Sequence, residues 1–222
     1  MNDQTDALDW NDDGVPISRR FDDPYFSFHD GLAETRHVFL AGNDLPARFV
    51  DGFHIAELGF GTGLNVLTAW QAWRESGIGG TLHFTSFEAF PLEKAQMETA
   101  LAAFPELENL AAEFLAALGA DGANCQGLKF NLIVGDARQT LPAWQDKADA
   151  WFLDGFSPAK NPELWGEELL NEVGAHTKPG GTAATYTAAG HVRRSLDEAG
   201  FDVERVKGFG RKRHMSVASL RA

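Results

Sequence analysis

Phe53-His54-Ile55-Ala56-Glu57-Leu58-Gly59-Phe60-Gly61-Thr62-Gly63-Leu64-Asn65 is the stretch on which the fold turns. Residues 53–58 are an apolar run that reads as a buried strand. Three glycines at alternate positions follow. They permit a tight turn and let a ligand approach the backbone without meeting a Cβ. Residues 64–74 then set Leu64, Leu67 and Trp70 at helical spacing. Strand, glycine turn and helix in that order open an α/β sheet, in which ligands bind beyond the carboxyl ends of the strands where strand order reverses.

The alternation continues on both sides. Residues 81–88 read as a second strand, and residues 91–104 as a helix with Pro91 in its first turn. Another helix is expected over 107–118. Residues 129–134 and 149–154 are two further strands, each ending near an acid. Asn161 is suited to cap the next helix, with Pro162 at its first position and Leu164, Trp165, Leu169 and Val173 inward. Residues 182–187 form a strand, 189–199 a helix, and 201–206 with 215–220 a closing hairpin. Upstream, 16–21 and 25–28 flank an Asp-Asp-Pro turn as a small hairpin, and 32–40 form a short helix. The expected organisation is a flexible acidic leader (1–13), an N-terminal hairpin and helix elaboration (14–50) and a Rossmann-like domain (51–222). Its sheet is expected to be doubly wound, mostly parallel and seven-stranded.

A chain of 222 residues, 44% hydrophobic and 23% charged, suits one folded α/β domain. Cys125 is the single cysteine, so no internal disulfide is available, which suits a reducing compartment. No run approaches the roughly 20 apolar residues of a membrane span, and no signal-like leader is present, so a soluble cytoplasmic protein is expected. Net charge is −13 but uneven: residues 178–222 hold nine basic residues against four acidic ones. A cationic end on an acidic body can guide a nucleic acid to one face, although a solvated basic tail is the simpler reading.

The glycine spacing is Gly-x-Gly-x-Gly, with Leu64 where a third dinucleotide-type glycine would fall, which argues against a pyrophosphate-bearing cofactor. Glu88 ends the second strand, where an acid accepts from both ribose hydroxyls. Asp136 ends the third and is suited to an adenine amino group. In order at successive strand ends, these features point to S-adenosylmethionine and a class I methyltransferase fold. The expected cofactor set is Glu57, Gly59, Phe60, Gly61, Thr62, Gly63, Asn65, Glu88, Asp136 and Asp154.

The fourth strand runs into LDGFSPAKNPELW (153–165). With GFGTGLN (59–65) and KGFGRKRHM (207–215), this run resembles the aminomethyluridine tRNA methyltransferases, the methyltransferase half of MnmC and its stand-alone counterpart MnmD. FDDPYFS (21–27), GLAETRHVFL (31–40), SFEAFPL (86–92) and KPGGTAATYTAAGHVRR (178–194) fit the same pattern. The resemblance implies methylation of the exocyclic amine of 5-aminomethyl-2-thiouridine at the tRNA wobble position. It also implies tRNA as partner. The flavin-dependent oxidase segment of MnmC is not in this sequence, so no FAD and no oxidase activity are expected, and a separate oxidase is an expected partner. The segment between Leu118 and Leu128 looks short for the family.

The chemistry asks for a positioned nucleophile with a free lone pair. An alkylammonium has a pKa of about 10 and must lose a proton. Asp154 is the expected catalytic residue, holding that ammonium and accepting its proton. An ordinary aspartate, with a pKa of about 4, is a weak base, so orientation comes first and proton acceptance second. The competing reading makes Asp154 a loop cap or cofactor ligand. Lys160 and Asn161 are candidates for contact with the base or its phosphate, Asn161 equally for a helix cap. Tyr25 and Phe26 are candidates for stacking on a flipped uridine or covering the cofactor, against a plain core role. Arg211, Lys212 and Arg213 are candidates for tRNA phosphates.

The seven histidines show no paired ligand spacing, and no metal site is expected. Two rival functions remain: an aminopropyltransferase acting on a small polyamine, and a non-catalytic cofactor-binding adapter for a partner oxidase.

Overall fold

A computed structural model describes residues 7–27 and 30–222. Three short strands come first: β1 (Leu8–Trp10), β2 (Pro16–Ser18) and β3 (Asp23–Pro24), an antiparallel meander. The expected leader thus contributes a strand at Leu8–Trp10, paired with Pro16–Ser18, while residues 1–6 lie outside the described residues. The expected hairpin keeps only Asp23–Pro24 as its second strand; Tyr25 and Phe26 leave it for the cavity below, and residue 28 is outside the described residues. Helix α1 (Gly31–Thr35) is capped by Asp30, whose side chain accepts from Ala33 N at 2.8 Å. It continues as a wider turn over Arg36–Leu40 and a tighter one over Ala41–Asn43, ending at Asp44 with left-handed backbone.

The main sheet alternates with helices. Its elements are β4 (His54–Leu58), α2 (Leu64–Ser76), β5 (Leu82–Glu88), α3 (Lys94–Leu101), α4 (Glu108–Ala117), β6 (Gly122–Cys125), β7 (Leu128–Val134) and α5 (Ala137–Thr140). Then follow β8 (Ala148–Leu153), α6 (Glu167–Ala175), β9 (Thr177–Thr185), α7 (Gly190–Glu198), β10 (Phe201–Lys207) and β11 (His214–Leu220). Spatial order is β10-β11-β9-β8-β4-β5-β7-β6. Strands β9, β8, β4, β5 and β7 run parallel, and β10, β11 and β6 join antiparallel. The seven expected strands are present, and β6 makes an eighth. The short segment after Leu118 folds back as a hairpin on β7, so the edge groups of that strand are paired rather than bare.

Side-chain alternation puts two cores on the two faces of the sheet. Ile55, Phe84, Phe130 and Phe152 pack with Trp70 of α2 and Phe114 of α4. Ala56, Leu58, Phe87, Trp151 and Leu153 pack with Leu169 and Val173 of α6 and Val192 and Leu196 of α7. Asn161 precedes a short 3₁₀ turn (Pro162–Trp165) but makes no capping bond with its side chain, and α6 starts only at Glu167, after Gly166. No helix among the described residues is long and apolar enough to cross a membrane.

Chain order reverses between β4 and β8. From β4 the sheet proceeds through β5 to β7, whereas β8 lies on the other side of β4. The ends of these strands are laced together: Gly59 N donates to Phe87 O at 3.0 Å and Asp154 N donates to Leu58 O at 3.0 Å. This is the crevice where an open α/β sheet binds its ligand.

Candidate active site

A cavity of about 1130 Å³ opens at that crevice. Its floor is the glycine turn. Gly59 has φ +92°, and a Cβ there would lie 2.3 Å from the carbonyl oxygen of Asp154, so two backbone segments meet where only glycine fits. Gly61 has φ +52°, and a Cβ there would stand 3.0 Å from the ring of Tyr25. Phe60, Thr62 and Asn65 also line the cavity, while Gly63 stands behind it as the N-cap of α2.

Glu88 sits at the rim of the turn. Its Oε2 accepts from the amides of Phe60 at 3.0 Å and Gly61 at 3.1 Å, and its Oε1 from Phe90 N at 2.8 Å. Asp136 lines the next stretch of wall and caps α5, accepting from Arg138 N at 2.9 Å. The Arg138 guanidinium grips the same carboxylate at 2.6 Å and holds its pKa below the usual range.

Glu57 lies beneath the cavity rather than in its wall, fully buried. Ser86 Oγ is 2.5 Å from its Oε2, and Asn65 Nδ2 donates to its Oε1 at 2.8 Å. Burial drives its pKa well above the ordinary value, opposed by those two bonds and helped by the charges of Asp154 and Glu88. The second hydrogen of the Asn65 amide goes to Asp154 Oδ2 at 2.7 Å, and Thr35 Oγ1 donates to Asn65 Oδ1 at 3.0 Å.

Asp154 keeps some surface on the cavity side, yet its carboxylate is ringed by protein. Desolvation pushes its pKa up to about 7; the Asn65 bond and the Lys212 charge oppose the rise, and the Glu34 charge adds to it. Asp154 is therefore a far better proton acceptor near neutral pH than an ordinary aspartate.

Aromatic rings make the other wall. Phe21 stacks on Phe156 at 4.7 Å between centroids, and Tyr25 meets Phe156 edge-on at 5.0 Å. Phe26 also lines the cavity but packs against Phe104 at 5.0 Å. Asn161 lines the cavity and Lys160 does not: its ammonium is tied to Asp22, 3.0 Å from the carboxylate, and lies 3.9 Å from Asp23. Asp23 also accepts from Ser157 N at 2.8 Å, so the meander pins the loop after β8.

Arg211 and Lys212 line the cavity, whereas Arg213 is exposed away from it. Lys212 turns inward. Its ammonium lies 2.9 Å from the carboxylate of Glu34 and 4.2 Å from the centroid of the Tyr186 ring. Glu34 and Tyr186 are wall residues that the sequence reading did not single out; both lie inside the quoted runs 31–40 and 178–194, but nothing in local spacing sets them apart.

Residues 104–221 match the family described as "S-adenosyl-L-methionine-dependent methyltransferase". The chain belongs to this methyltransferase family. A bifunctional protein of tRNA 5-methylaminomethyl-2-thiouridine biosynthesis, MnmC of Stutzerimonas stutzeri (strain A1501), is 48% identical over 97% of the chain and 34% of its own length. MnmC of Ectopseudomonas mendocina (strain ymp) is 47% identical over 100% of the chain and 36% of its own. The chain thus spans about a third of the length of the curated relatives it matches. The crystal structure of MNMC2 from Aquifex aeolicus superposes with a TM-score of 0.77 at 27% identity, covering 100% of the chain and 72% of that one. Spermidine synthase from Thermotoga maritima shares the fold, with a TM-score of 0.57 at 10% identity over 96% of the chain and 71% of that one.

The site fits the methyl donor of this methyltransferase family. The side-chain-free turn, the carboxylate ending β5, the polar end of β7 and the aromatic wall form one continuous surface. Among the described residues no group of three or more His, Cys, Asp or Glu side chains could hold a metal ion.

Proposed function

We propose that the protein transfers a methyl group from S-adenosylmethionine to the exocyclic primary amine of 5-aminomethyl-2-thiouridine at the tRNA wobble position, giving the methylaminomethyl form. The observation that carries this reading is the placing of the Asp154 carboxylate, held by Asn65 at 2.7 Å, at the switch point in a cavity that also seats an ammonium. Its desolvation, which raises the pKa to about 7, suits it to accept a proton.

Glu88, Asp136, Phe60 and the backbone at Gly59 and Gly61 would hold the donor, with Tyr25 over the turn. When bound, S-adenosylmethionine supplies an electrophilic methyl on a sulfonium. Asp154 orients the substrate ammonium and takes one of its protons, freeing the nitrogen lone pair for in-line attack. The proton gap from an ammonium of pKa about 10 is roughly three units for this buried acid, against about six for an exposed one. Phe156 and Phe21 offer a ring surface for a base taken out of its stack. Arg211 in the cavity wall and Arg213, exposed outside it, would meet the phosphate backbone.

A flavin-dependent oxidase acting on the carboxymethylated base would supply the amine, either as a separate partner or as part of a longer protein like the bifunctional relatives. The setting is cytoplasmic, where tRNA is modified. The test is incubation with labelled S-adenosylmethionine and tRNA lacking the modification, followed by nucleoside mass analysis. A labelled methylaminomethyl nucleoside is expected. Aminopropyl transfer from decarboxylated S-adenosylmethionine to putrescine in a parallel assay, with no label on tRNA, would replace this reading with the polyamine one, and neither product would support the adapter.

A further inference from the structure

The ammonium of Lys212 rests against two wall groups that both suit a cation. The carboxylate of Glu34 approaches it at 2.9 Å from α1. The ring of Tyr186 faces it at 4.2 Å, and that ring is held in orientation because its hydroxyl donates to Gly155 O at 2.7 Å. Asp154, one residue before Gly155, feels both the Lys212 and the Glu34 charge. The Glu34 side chain is only 13% exposed, whereas that of Lys212 is 47% exposed. The carboxylate and ring therefore belong to the wall, and the lysine is a visitor at the end of a flexible stem.

Lys212 reaches in from the turn between β10 and β11, whose own bonds are Gly208 N to Arg213 O at 3.2 Å and Lys212 N to Phe209 O at 3.0 Å. Swinging its side chain outward breaks none of these. A lysine tip and an aminomethyl substituent share one chemistry, a CH₂–NH₃⁺ group, which a carboxylate and an aromatic face recognise alike.

We infer that Lys212 occupies the seat of the substrate's own ammonium, so that Glu34 and Tyr186 recognise the aminomethyl group and Lys212 is an internal competitor for it. This deepens the function proposed above and rests on it. A substrate carrying both an ammonium and a phosphate backbone resolves the competition. Its ammonium takes the seat, and its phosphates take the displaced lysine. A small amine without phosphate has nothing to offer Lys212 and must compete with it. Glu34 and Tyr186 thus set the chemical specificity, and Lys212 adds a preference for polyanionic carriers.

The test uses 5-aminomethyluridine nucleoside, which has no phosphate, with uridine as control, in the presence of S-adenosylhomocysteine. Binding is read by calorimetry or ligand-detected NMR. Lys212→Met is expected to bind the aminomethyl nucleoside about tenfold more tightly than the parent, with uridine unchanged, and Glu34→Gln in that background is expected to abolish the gain. Equal nucleoside affinity in parent and Lys212→Met, or a gain that survives Glu34→Gln, overturns the inference. Melting curves and S-adenosylhomocysteine affinity report whether each variant is folded, and Lys212→Gln serves in place of a variant that is not. The two readings fail separately. A parent that methylates tRNA but shows no Lys212-dependent gain loses only the seat, whereas a Glu34-dependent gain without tRNA methylation keeps an amine seat and removes the tRNA function.

Discussion

Asn65 fixes Asp154: its amide nitrogen donates to the Asp154 carboxylate at 2.7 Å while the same nitrogen donates to Glu57 at 2.8 Å. Asn65 belongs to the first turn of α2, so the helix that leaves the glycine turn also orients the acid at the end of β8. A hydrogen bond to the charged form favours that form, so this contact restrains the rise in Asp154 pKa that burial causes.

Replacing Asn65 with leucine is expected to push the Asp154 pKa above its present value of about 7. The acidic limb of the pH–rate profile moves to higher pH accordingly. Glu57 and Thr35 lose a partner in a buried setting, which costs about 1–3 kcal/mol. The pH dependence of kcat and urea unfolding measure the two effects, and an unshifted limb would separate Asn65 from the proton chemistry.

Asp154→Asn separates activity from stability. Methyl transfer at saturating cofactor is expected to fall by about 10²–10⁴-fold, the range for losing a general base. The folded pKa of about 7 exceeds the unfolded value, so the folded state binds the proton more firmly. The Asp154 contribution to stability is complete below about pH 4 and is lost as pH rises through about 7. Asparagine removes that loss, so at pH 8 the variant is expected to be more stable than the parent by about 1–3 kcal/mol. Denaturant titrations at pH 5 and pH 8 check the sign; a smaller advantage at pH 8 than at pH 5 would contradict it.

Gly59→Ala meets both a φ of +92° and the Asp154 carbonyl at 2.3 Å. Gly14 shares the unusual backbone, with φ +74°, but has nothing within 4 Å of a built Cβ. Alanine at Gly14 is expected to cost about 1 kcal/mol, from conformational strain alone. At Gly59 the cost is expected to exceed about 3 kcal/mol, with loss of S-adenosylmethionine affinity. Thermal melts and calorimetry compare them, and equal costs would mean that the close approach to Asp154 relaxes freely.

Lys160 is spent on Asp22 and Asp23 rather than presented to a substrate. Because the pair is exposed, Lys160→Ala is expected to change stability by less than about 0.5 kcal/mol. It frees the loop after β8, so single-turnover transfer to tRNA should slow while cofactor affinity holds. Arg213→Glu should instead weaken tRNA binding and reduce its salt dependence, without touching the transfer rate of bound tRNA. Filter binding across a salt series, set beside single-turnover rates, tells these two effects apart.

Much of the fold was legible because its signals are local. The apolar run before Gly59, the helical spacing of Leu64, Leu67 and Trp70, and the acids at the ends of β5, β7 and β8 can each be read within a dozen residues. Strand β6 was not legible, because Gly122–Cys125 has little apolar pattern and owes its pairing to the waiting edge of β7. The break at Asn161 was misjudged as a helix start for a similar reason: Pro162 suits any first turn, and the 3₁₀ segment yields to Gly166 before α6 begins.

By itself, the sequence determined the order of strands and helices, the glycine turn and the acids that crown three strands, since these depend on residue type and near neighbours. Tertiary structure alone decided that Glu57 lies under the site, that Asn65 joins it to Asp154, and that Glu34 and Tyr186 close around the Lys212 ammonium. The physical reason is separation along the chain. Glu34 and Lys212 come from nearly opposite ends of the polypeptide, and only the packing of α1 beside the turn between β10 and β11 brings their charges together at the cavity wall.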